Sequence, residues 1–545
     1  MDRQPPSDTE VLIIGAGPVG LALAIELGTR GISCLVVERN DRVGYNPRAK
    51  TTNARTREHL RRWGIADKLR AASPVPVDYP ANVVFATRLN GPEICRFENA
   101  LQASPDKNNL YSEGAQWVPQ YVLEQVLRDH AVSLPGVTVR FETEFEAARD
   151  FDDHIEVTLR DLPQKRSDTI SCRYLIGADG ARSAVREHIG AKMHGPGGAL
   201  RNINLVMRAP GLDRMHPHGR AIHYWLLNEE IPSLMGPLDG SDLWYYIVTK
   251  FDGDGVPDAE TCKDMIRRST AIDFDPEIVG IDPWVARSLV ADRYAKGRVF
   301  LAGDACHLHP PFGGFGMNMG IGDAVDLGWK LAATIQGWGG PTLLDSYAIE
   351  RRPVHERVIE EATINYSATG NQLIQPGLEY PGEIGEAVRR EVAETILATK
   401  VREFKTLGVV LGSHYAHSPI VAEENGEPPP QSVGLYTPSA YPGCLAPHQW
   451  LKDGRSLYDL FGQGYTLLVL SDEAEGAERF QAAADQLNIP LTVVRPGDVR
   501  LPRRYEARLA LIRPDQHVAW RGDQAPSDAA ALFARITGHA MAETH

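Results

Sequence analysis

At 545 residues the chain is too long for one ordinary hydrophobic core, so two or three domains are expected. Its 71 acidic against 57 basic side chains give a net charge of −14, which opposes nucleic-acid binding, and no basic cluster with interleaved aromatics reverses that. Six cysteines show neither C-x-x-C nor zinc spacing, so reduced thiols in a cytoplasmic protein are expected, with no metal site, export signal or membrane span.

In chain order, Val11-Leu12-Ile13-Ile14 is an apolar run of strand length that breaks into Gly15-Ala16-Gly17-Pro18-Val19-Gly20, after which Leu21, Leu23, Ala24 and Leu27 recur at helical spacing. This is strand, glycine turn, helix. Gly15 permits the turn, Gly17 lets the backbone approach a pyrophosphate, Gly20 allows close packing, and the helix N-terminus offers N–H groups to phosphate. A second run, Cys34 to Val37, ends in Glu38, whose carboxylate can accept both hydroxyls of a ribose. Thr51 to Arg62 is predicted as a helix, Val83 to Phe85 as a strand, and a helix starts at Pro119-Gln120.

Val137 to Phe141, Ile155 to Leu159 and Ile170 to Leu175 read as a meander, the last running into a second glycine turn, Gly177-Ala178-Asp179-Gly180. From about 195 to 290 the pattern changes to short strands rich in Tyr, Trp and His (Ile203–Met207, Ala221–Leu227, Leu243–Thr249), with helical spacing mostly absent. An antiparallel sheet with one covered and one cavity-facing side is expected. A buried strand, Arg298–Ala302, then ends in Gly303-Asp304-Ala305-Cys306-His307, and the Gly/Pro-dense loop Pro310 to Asn318 leads into a helix through Ile335. Helical sequence continues from Leu343 to about Gly408, and a Pro-rich linker spans Pro419 to Pro447. The order β, α, β, β, β, α follows as a unit of its own.

Taken together, Gly15/Gly17/Gly20 with Glu38, Gly177 to Gly180, and Gly303 to His307 resemble the FAD-dependent aromatic hydroxylases, flavoprotein monooxygenases of the phenol and p-hydroxybenzoate hydroxylase type. The likeness covers residues 8 to 355, and the tail looks like the thioredoxin-like C-terminal domain of the phenol hydroxylase branch. Two departures stand out: Cys306 where alanine is usual, and a tail without redox cysteines. The resemblance implies an α/β fold with an α+β part: a Rossmann-like FAD-binding domain (1–80, 115–190, 290–370), an antiparallel-sheet substrate domain (81–114, 191–289), a helical segment and linker (371–434) and a thioredoxin-like domain (435–545).

It also implies a cofactor set. Gly15, Gly17, Pro18, Gly20, Glu38 and Arg39 would hold the adenosine and pyrophosphate, and Arg48 and Gln120 would contact the flavin or its pyrophosphate. Asp179 corresponds to an aspartate associated with FAD and nicotinamide binding, and Asp304 to one that accepts from ribityl hydroxyls. The loop that contains Pro311, Gly314 and Gly316 would bring the backbone N–H groups of Met317 and Asn318 to the ring.

Only one dinucleotide turn is present, so NADPH or NADH would dock transiently. The mechanism implied is hydride transfer to FAD, oxygen addition at C4a to give a hydroperoxide, and attack on it by an electron-rich ring in a closed, apolar pocket. A base that makes the substrate a phenolate would help, and His309, His223, Tyr224, Tyr246 and Lys50 are the candidates. Strand alternation sends His223 and Tyr224 to opposite faces. Cys306 and His307 read as packed. A small phenol, with O2, is the leading substrate expectation because of the tail. A larger polyketide or alkaloid substrate (hydroxylation or Baeyer-Villiger type) is the alternative, with a non-catalytic nucleotide-binding module as the rival class, and a homodimer is expected.

Overall fold

The computed structural model describes residues 8–41, 49–196, 201–249, 251, 253, 255–367 and 373–539. The strand Thr9–Ile14 lies inside an eight-stranded mixed sheet. It pairs in parallel with Cys34–Val37 on one side and with the end of the long strand Arg166–Gly177 on the other. Val137–Arg140 extends the sheet in parallel beyond Cys34–Val37, and Val299–Leu301 does so beyond Arg166–Gly177. Val11 to Ile14 and Cys34 to Val37 are buried without alternation, as strands covered on both faces must be. The helices Pro18–Gly28, Gln120–Ala131 and Gly316–Gln336 supply apolar cover from the same core.

Several expectations are corrected here. Val137–Arg140 belongs to the parallel sheet, so the meander consists of Thr143–Asp150, Ile155–Asp161 and the first half of Arg166–Gly177. Thr51–Thr52 is a short strand paired with Gln116–Trp117, and the helix starts only at Ala54 because Asn53 caps it, accepting from Thr56 N at 2.9 Å.

A seven-stranded sheet stands apart, in the order Glu277–Val285, Arg201–Arg208, Leu243–Val248, Ser233–Pro237, His223–Leu226, Val83–Ala86, Glu93–Phe97. All its neighbours are antiparallel except His223–Leu226 with Val83–Ala86. One face (Tyr224, Trp244, Tyr246) packs on the helix Ala259–Thr270. That helix overturns the reading that helical spacing is absent there; its signal is Asp258, which caps Thr261 N at 2.8 Å. The other face (Phe85, Trp225, Tyr245) packs on Phe312 from the glycine loop and on Val392, Ile396 and Phe404 from the helix Gly382–Phe404.

The C-terminal part forms a four-stranded sheet, Leu491–Val494, Tyr465–Val469, Leu509–Ile512, Val518–Gly522, with only the first pair parallel. Helices Ala477–Gln486 and Ala529–Ile536 share its core through Phe480, Phe533 and Ile536. This is the thioredoxin-like arrangement, and a short helix, Leu501–Tyr505, is added to the expected order.

A buried cluster of charges joins this sheet to the flavin-side helices. Arg513 makes a bidentate pair with Glu350 (2.6 and 2.8 Å) and a bond to Asp515 (2.7 Å). Lys330 bridges Asp326 and Glu350 at 2.7 and 2.6 Å. Asp326, Glu350 and Asp515 are close enough to resemble a cation site, yet Lys330 and Arg513 already neutralise them. Among the described residues no helix is long and apolar enough to cross a membrane.

Candidate active site

Three glycine turns, far apart in the chain, meet at the carboxyl ends of the parallel strands. Gly15 has φ +106°, and a Cβ there would lie 2.4 Å from Ala178 O and 3.1 Å from Asp179 Cα, so the first turn abuts the second. Ala178 N donates to Ile14 O at 2.8 Å and locks the two. A Cβ on Gly303 would meet Val19 at 2.8 Å, so the third turn rests on the start of the first helix. Gly20 is pressed against Gly15, with an added Cβ only 1.9 Å from Gly15 O. Gly17, by contrast, caps the helix that begins at Pro18, and a Cβ there would meet nothing within 4 Å. The close approach left open at Gly17 is therefore toward something other than protein.

Glu38 closes the first turn, accepting from Ala16 N at 3.0 Å and from Asn40 N at 3.0 Å, with Arg39 exposed beside it. Asp179 caps the helix Ala184–His188, its Oδ2 accepting from Ala184 N at 2.8 Å and Val185 N at 3.2 Å. Its Oδ1 is buried with no partner, and burial pushes the carboxyl up despite the bonds to its other oxygen. An acceptor held ready beside a phosphate turn suits a ligand hydroxyl.

Asp304 stands half-buried in the single turn Gly303–Ala305. Asp323 fixes that turn from beneath, accepting from Gly303 N at 3.0 Å and His307 Nε2 at 2.8 Å through Oδ2, and from Arg351 Nε and His355 Nε2 at 2.8 Å through Oδ1. The charges of His355 and Arg351 hold its carboxyl well below the usual carboxylate range against the opposing effect of burial. Sequence reasoning missed Asp323. Cys306 and His307 are fully buried, and with Asp323 they are close enough for a metal, but Asp323 is already committed to its cationic partners.

The loop Pro310 to Asn318 is shaped by Gly313 and Gly314, both at positive φ (+86° and +66°). Asn318 ties it down: its Nδ2 donates to Gly314 O at 2.7 Å and Thr51 O at 2.9 Å, and its Oδ1 accepts from Asn53 N at 2.9 Å. The helix Gly316–Gln336 begins here, and its first internal bond runs from Met319 N to Phe315 O. The N–H groups of Met317 and Asn318 thus face outward with the positive helix end behind them. Pro311 is exposed at the loop's start.

Gln120 acts on the facing segment: its Oε1 accepts from Ala49 N at 3.0 Å, while its Nε2 donates to Glu124 at 2.7 Å. Arg48 lies outside the described residues. The donors, the open approach at Gly17 and the waiting Asp179 oxygen fit a dinucleotide as long as FAD.

The candidate bases divide. Tyr224 and Tyr246 are excluded by the side of the sheet they occupy. Tyr246 Oη bonds Ser269 Oγ at 2.8 Å and Tyr224 Oη donates to Gly219 O at 2.6 Å, both on the face covered by the helix Ala259–Thr270. His309 stacks on His307 at 5.2 Å and rests against Gly316 beneath the loop. Burial, and next the charge of His307, keeps it neutral, with Nε2 unpartnered.

His223 and Lys50 converge on Tyr245, within the aromatic cluster on the sheet face opposite the helix Ala259–Thr270. His223 Nδ1 lies 2.9 Å from Tyr245 Oη, and Lys50 Nζ sits 4.4 Å from the centre of the Tyr245 ring. Trp117 closes one side, edge-on to His223 at 6.4 Å, and Phe312 stacks on Trp225 at 6.0 Å. Lys400, unread in the sequence, lies over Trp225 and pairs with Glu403 at 2.8 Å. Burial drives His223 down to about 3 and Lys50 down to about 8; Lys50 has no carboxylate partner among the described residues. His223 Nε2 and Trp225 Nε1 are buried without partners.

Residues 8–362 match the family model described as "FAD binding domain", and residues 439–540 match "Aromatic-ring hydroxylase, C-terminal". The chain is similar to the tetracenomycin B2 monooxygenase-dioxygenase of Streptomyces olivaceus, 32% identical over all of both chains. Among solved structures, the rebeccamycin biosynthetic enzyme RebC with reduced flavin superposes with a TM-score of 0.90 at 35% identity, covering 98% of this chain and 100% of that one. A ternary complex of aklavinone-11 hydroxylase with FAD and aklavinone gives 0.83 at 29% identity, covering 98% and 100%.

Proposed function

The chain belongs to the FAD-binding aromatic-ring monooxygenases, and on that premise we propose that it hydroxylates a fused, polycyclic phenol of polyketide or alkaloid type, using O2 and a nicotinamide reductant. The observation that carries the substrate class is this aromatic cluster, read as the lining of a substrate chamber. Trp117, Tyr245, Trp225 and Phe312 supply broad aromatic surfaces, while His223 Nε2 and Trp225 Nε1 are buried without a partner and the Lys50 ammonium, over the Tyr245 ring, has no carboxylate partner among the described residues. A wide planar ring system bearing several oxygens satisfies both demands. Relatives named for tetracenomycin B2 and aklavinone point the same way, so the small phenol expected from the tail gives way to the larger substrate.

The chemistry FAD supplies when bound is uptake of a hydride and delivery of one oxygen atom from O2 to an electron-rich ring. The chain's own residues prepare that event. The end of the helix Gly316–Gln336 directs the N–H groups of Met317 and Asn318, and its positive pole, to where negative charge gathers on a reduced ring. Lys50 holds a substrate oxygen as phenolate, because a half-buried ammonium without a counter-charge gains most from an anion. Neutral His223 accepts or donates at Nε2 with its ring orientation fixed by Tyr245. The aromatic walls keep out water.

The test is oxygen uptake and NADPH or NADH oxidation by FAD-loaded protein with a panel running from phenol to hydroxylated anthraquinones. Product formation with the fused rings and not with phenol is expected. Turnover of phenol alone would sink the substrate assignment.

A further inference from the structure

A cavity of about 360 Å³ lies beside Trp117. Its walls come from four parts of the chain: the helices Ala54–Arg62 and Ala66–Ala72, the stretch from Val75 to Trp117, Ile222 immediately before the strand His223–Leu226, and Trp450 just before the C-terminal sheet. Trp117 and Ile222 form the inner wall, and the same Trp117 indole packs on His223 and Tyr245 of the chamber. One side chain thus joins the cavity lining to the His223–Tyr245 cluster.

The lining has the marks of a ligand site. Gln116, only 7% exposed, leaves Oε1 buried without a partner, and Arg57, 2% exposed, leaves Nε likewise. Both residues line the same cavity. Arg57, Arg61 and Arg70 all converge on one carboxylate, Glu113, at 2.9, 2.9 and 3.0 Å, which fixes three guanidinium groups in place. Four basic side chains against three carboxylates line the cavity, a slight positive excess. Trp450 and Tyr79 add flat apolar surface, and Lys107 lies 4.6 Å over the Trp450 ring. Its volume falls in the range of small-molecule sites, and planar rings with acidic oxygens suit indole, guanidinium and amide together.

We propose that this cavity is an outer binding site for a planar, hydroxylated polycyclic aromatic, so that the C-terminal part takes a direct share in recognition through Trp450. The ligand class rests on the substrate reading above. Held there, the ring system lies against the indole that also packs on His223 and Tyr245.

Calorimetric titration of the FAD-loaded protein with alizarin, a planar dihydroxyanthraquinone, tests this. Two bound equivalents per chain are expected, with one lost in Trp450→Ala and in Gln116→Leu. The second variant guards against misfolding: the Gln116 amide makes only one long bond, 3.5 Å to Leu69 O, so removing it costs the fold little. Lys50→Met should lose the other equivalent. A single equivalent in wild type that survives Gln116→Leu and Trp450→Ala but not Lys50→Met overturns the outer site while leaving the chamber reading intact. The reverse pattern, one equivalent lost only in Gln116→Leu and Trp450→Ala, upholds the outer site and defeats the chamber. No binding in wild type overturns both.

Discussion

Replacing Gly17 by alanine separates folding from cofactor binding at a single carbon. The added Cβ meets no protein atom within 4 Å, and φ is −74°, which alanine adopts without strain. As the residue capping the helix, alanine is worse than glycine by roughly 0.5–1 kcal/mol. Removing glycine from the unfolded chain returns about 0.4–1 kcal/mol. The two nearly cancel, so FAD-free Gly17→Ala should melt within about 1 kcal/mol of wild type.

On the proposed FAD-binding mode, the same carbon would occupy the space in which a pyrophosphate oxygen reaches the helix N–H groups. Losing one charge-assisted hydrogen bond costs about 1.5–3 kcal/mol, a weakening of FAD binding by about 10- to 150-fold. Neighbouring glycines behave differently. Gly20→Ala drives a Cβ to 1.9 Å from Gly15 O, and Gly15→Ala to 2.4 Å from Ala178 O, so both lose the fold before the cofactor is tested. Flavin fluorescence quenching on titration into apo-protein, alongside thermal melts, reads both quantities. Wild-type FAD affinity in Gly17→Ala would show that the open approach is not where the pyrophosphate lies.

Other consequences are as direct. Burial raises the Asp179 carboxyl in the free protein, and a hydroxyl donated to Oδ1 favours the charged form, so FAD affinity should rise with pH through that carboxyl's titration; Asp179→Asn should flatten the profile in pH-dependent FAD titrations. Because burial brings Lys50 down to about 8, kcat/KM for an acidic polycyclic phenol should fall as pH rises past that value and the ammonium is lost. Lys50→Arg should move the descending limb upward and Lys50→Met should abolish it; an unchanged limb in both would acquit Lys50. Tyr246→Phe, on the far face, should cost about 1 kcal/mol in denaturant unfolding for its bond to Ser269 and leave KM within error. Asp323→Asn leaves Arg351 and His355 facing a neutral amide and should destabilise by about 3–5 kcal/mol, with faster FAD loss on gel filtration as the Gly303 turn loosens.

Local physics makes the phosphate side of the site legible in the amino-acid order itself. Gly15 needs positive φ, Gly20 needs contact with backbone, and the strand ahead of them needs burial on both faces; each demand falls on residues adjacent in sequence. Elements stay hidden where the deciding contact is distant. Thr51–Thr52 has no strand signal of its own and is a strand because Gln116–Trp117 lies beside it. The helix Ala259–Thr270 hides inside a stretch dominated by aromatic strands, although Asp258 marks its start. Period two alone shows that His223 and Tyr224 diverge, but not which faces the chamber, since that depends on Phe312 arriving from a loop far along the chain.

The same reasoning explains why the polar scaffold beneath the flavin loop is illegible in the sequence. Asp323 and Tyr415 come from stretches apart from the helix Ser346–Ser367 that carries Arg351 and His355, and none of the four carries a local motif; together they form a continuous chain of bonds. Arg351 Nε reaches Asp323 at 2.8 Å and its Nη1 reaches Tyr415 Oη at 2.9 Å. Tyr415 packs on His517 at 4.4 Å, and His517 lies 3.4 Å from Asp515, the partner of Arg513. The path runs from the Gly303 turn to the C-terminal sheet without leaving buried ground. Buried charges tolerate displacement poorly, because a broken pair leaves an uncompensated ion in low dielectric. Buried contacts thus tie the Gly303 turn to the C-terminal sheet, a constraint that needs no dithiol. That constraint, with Trp450 at the outer cavity, gives a physical reason for a thioredoxin-like unit that has lost thioredoxin chemistry to remain attached to a flavin enzyme.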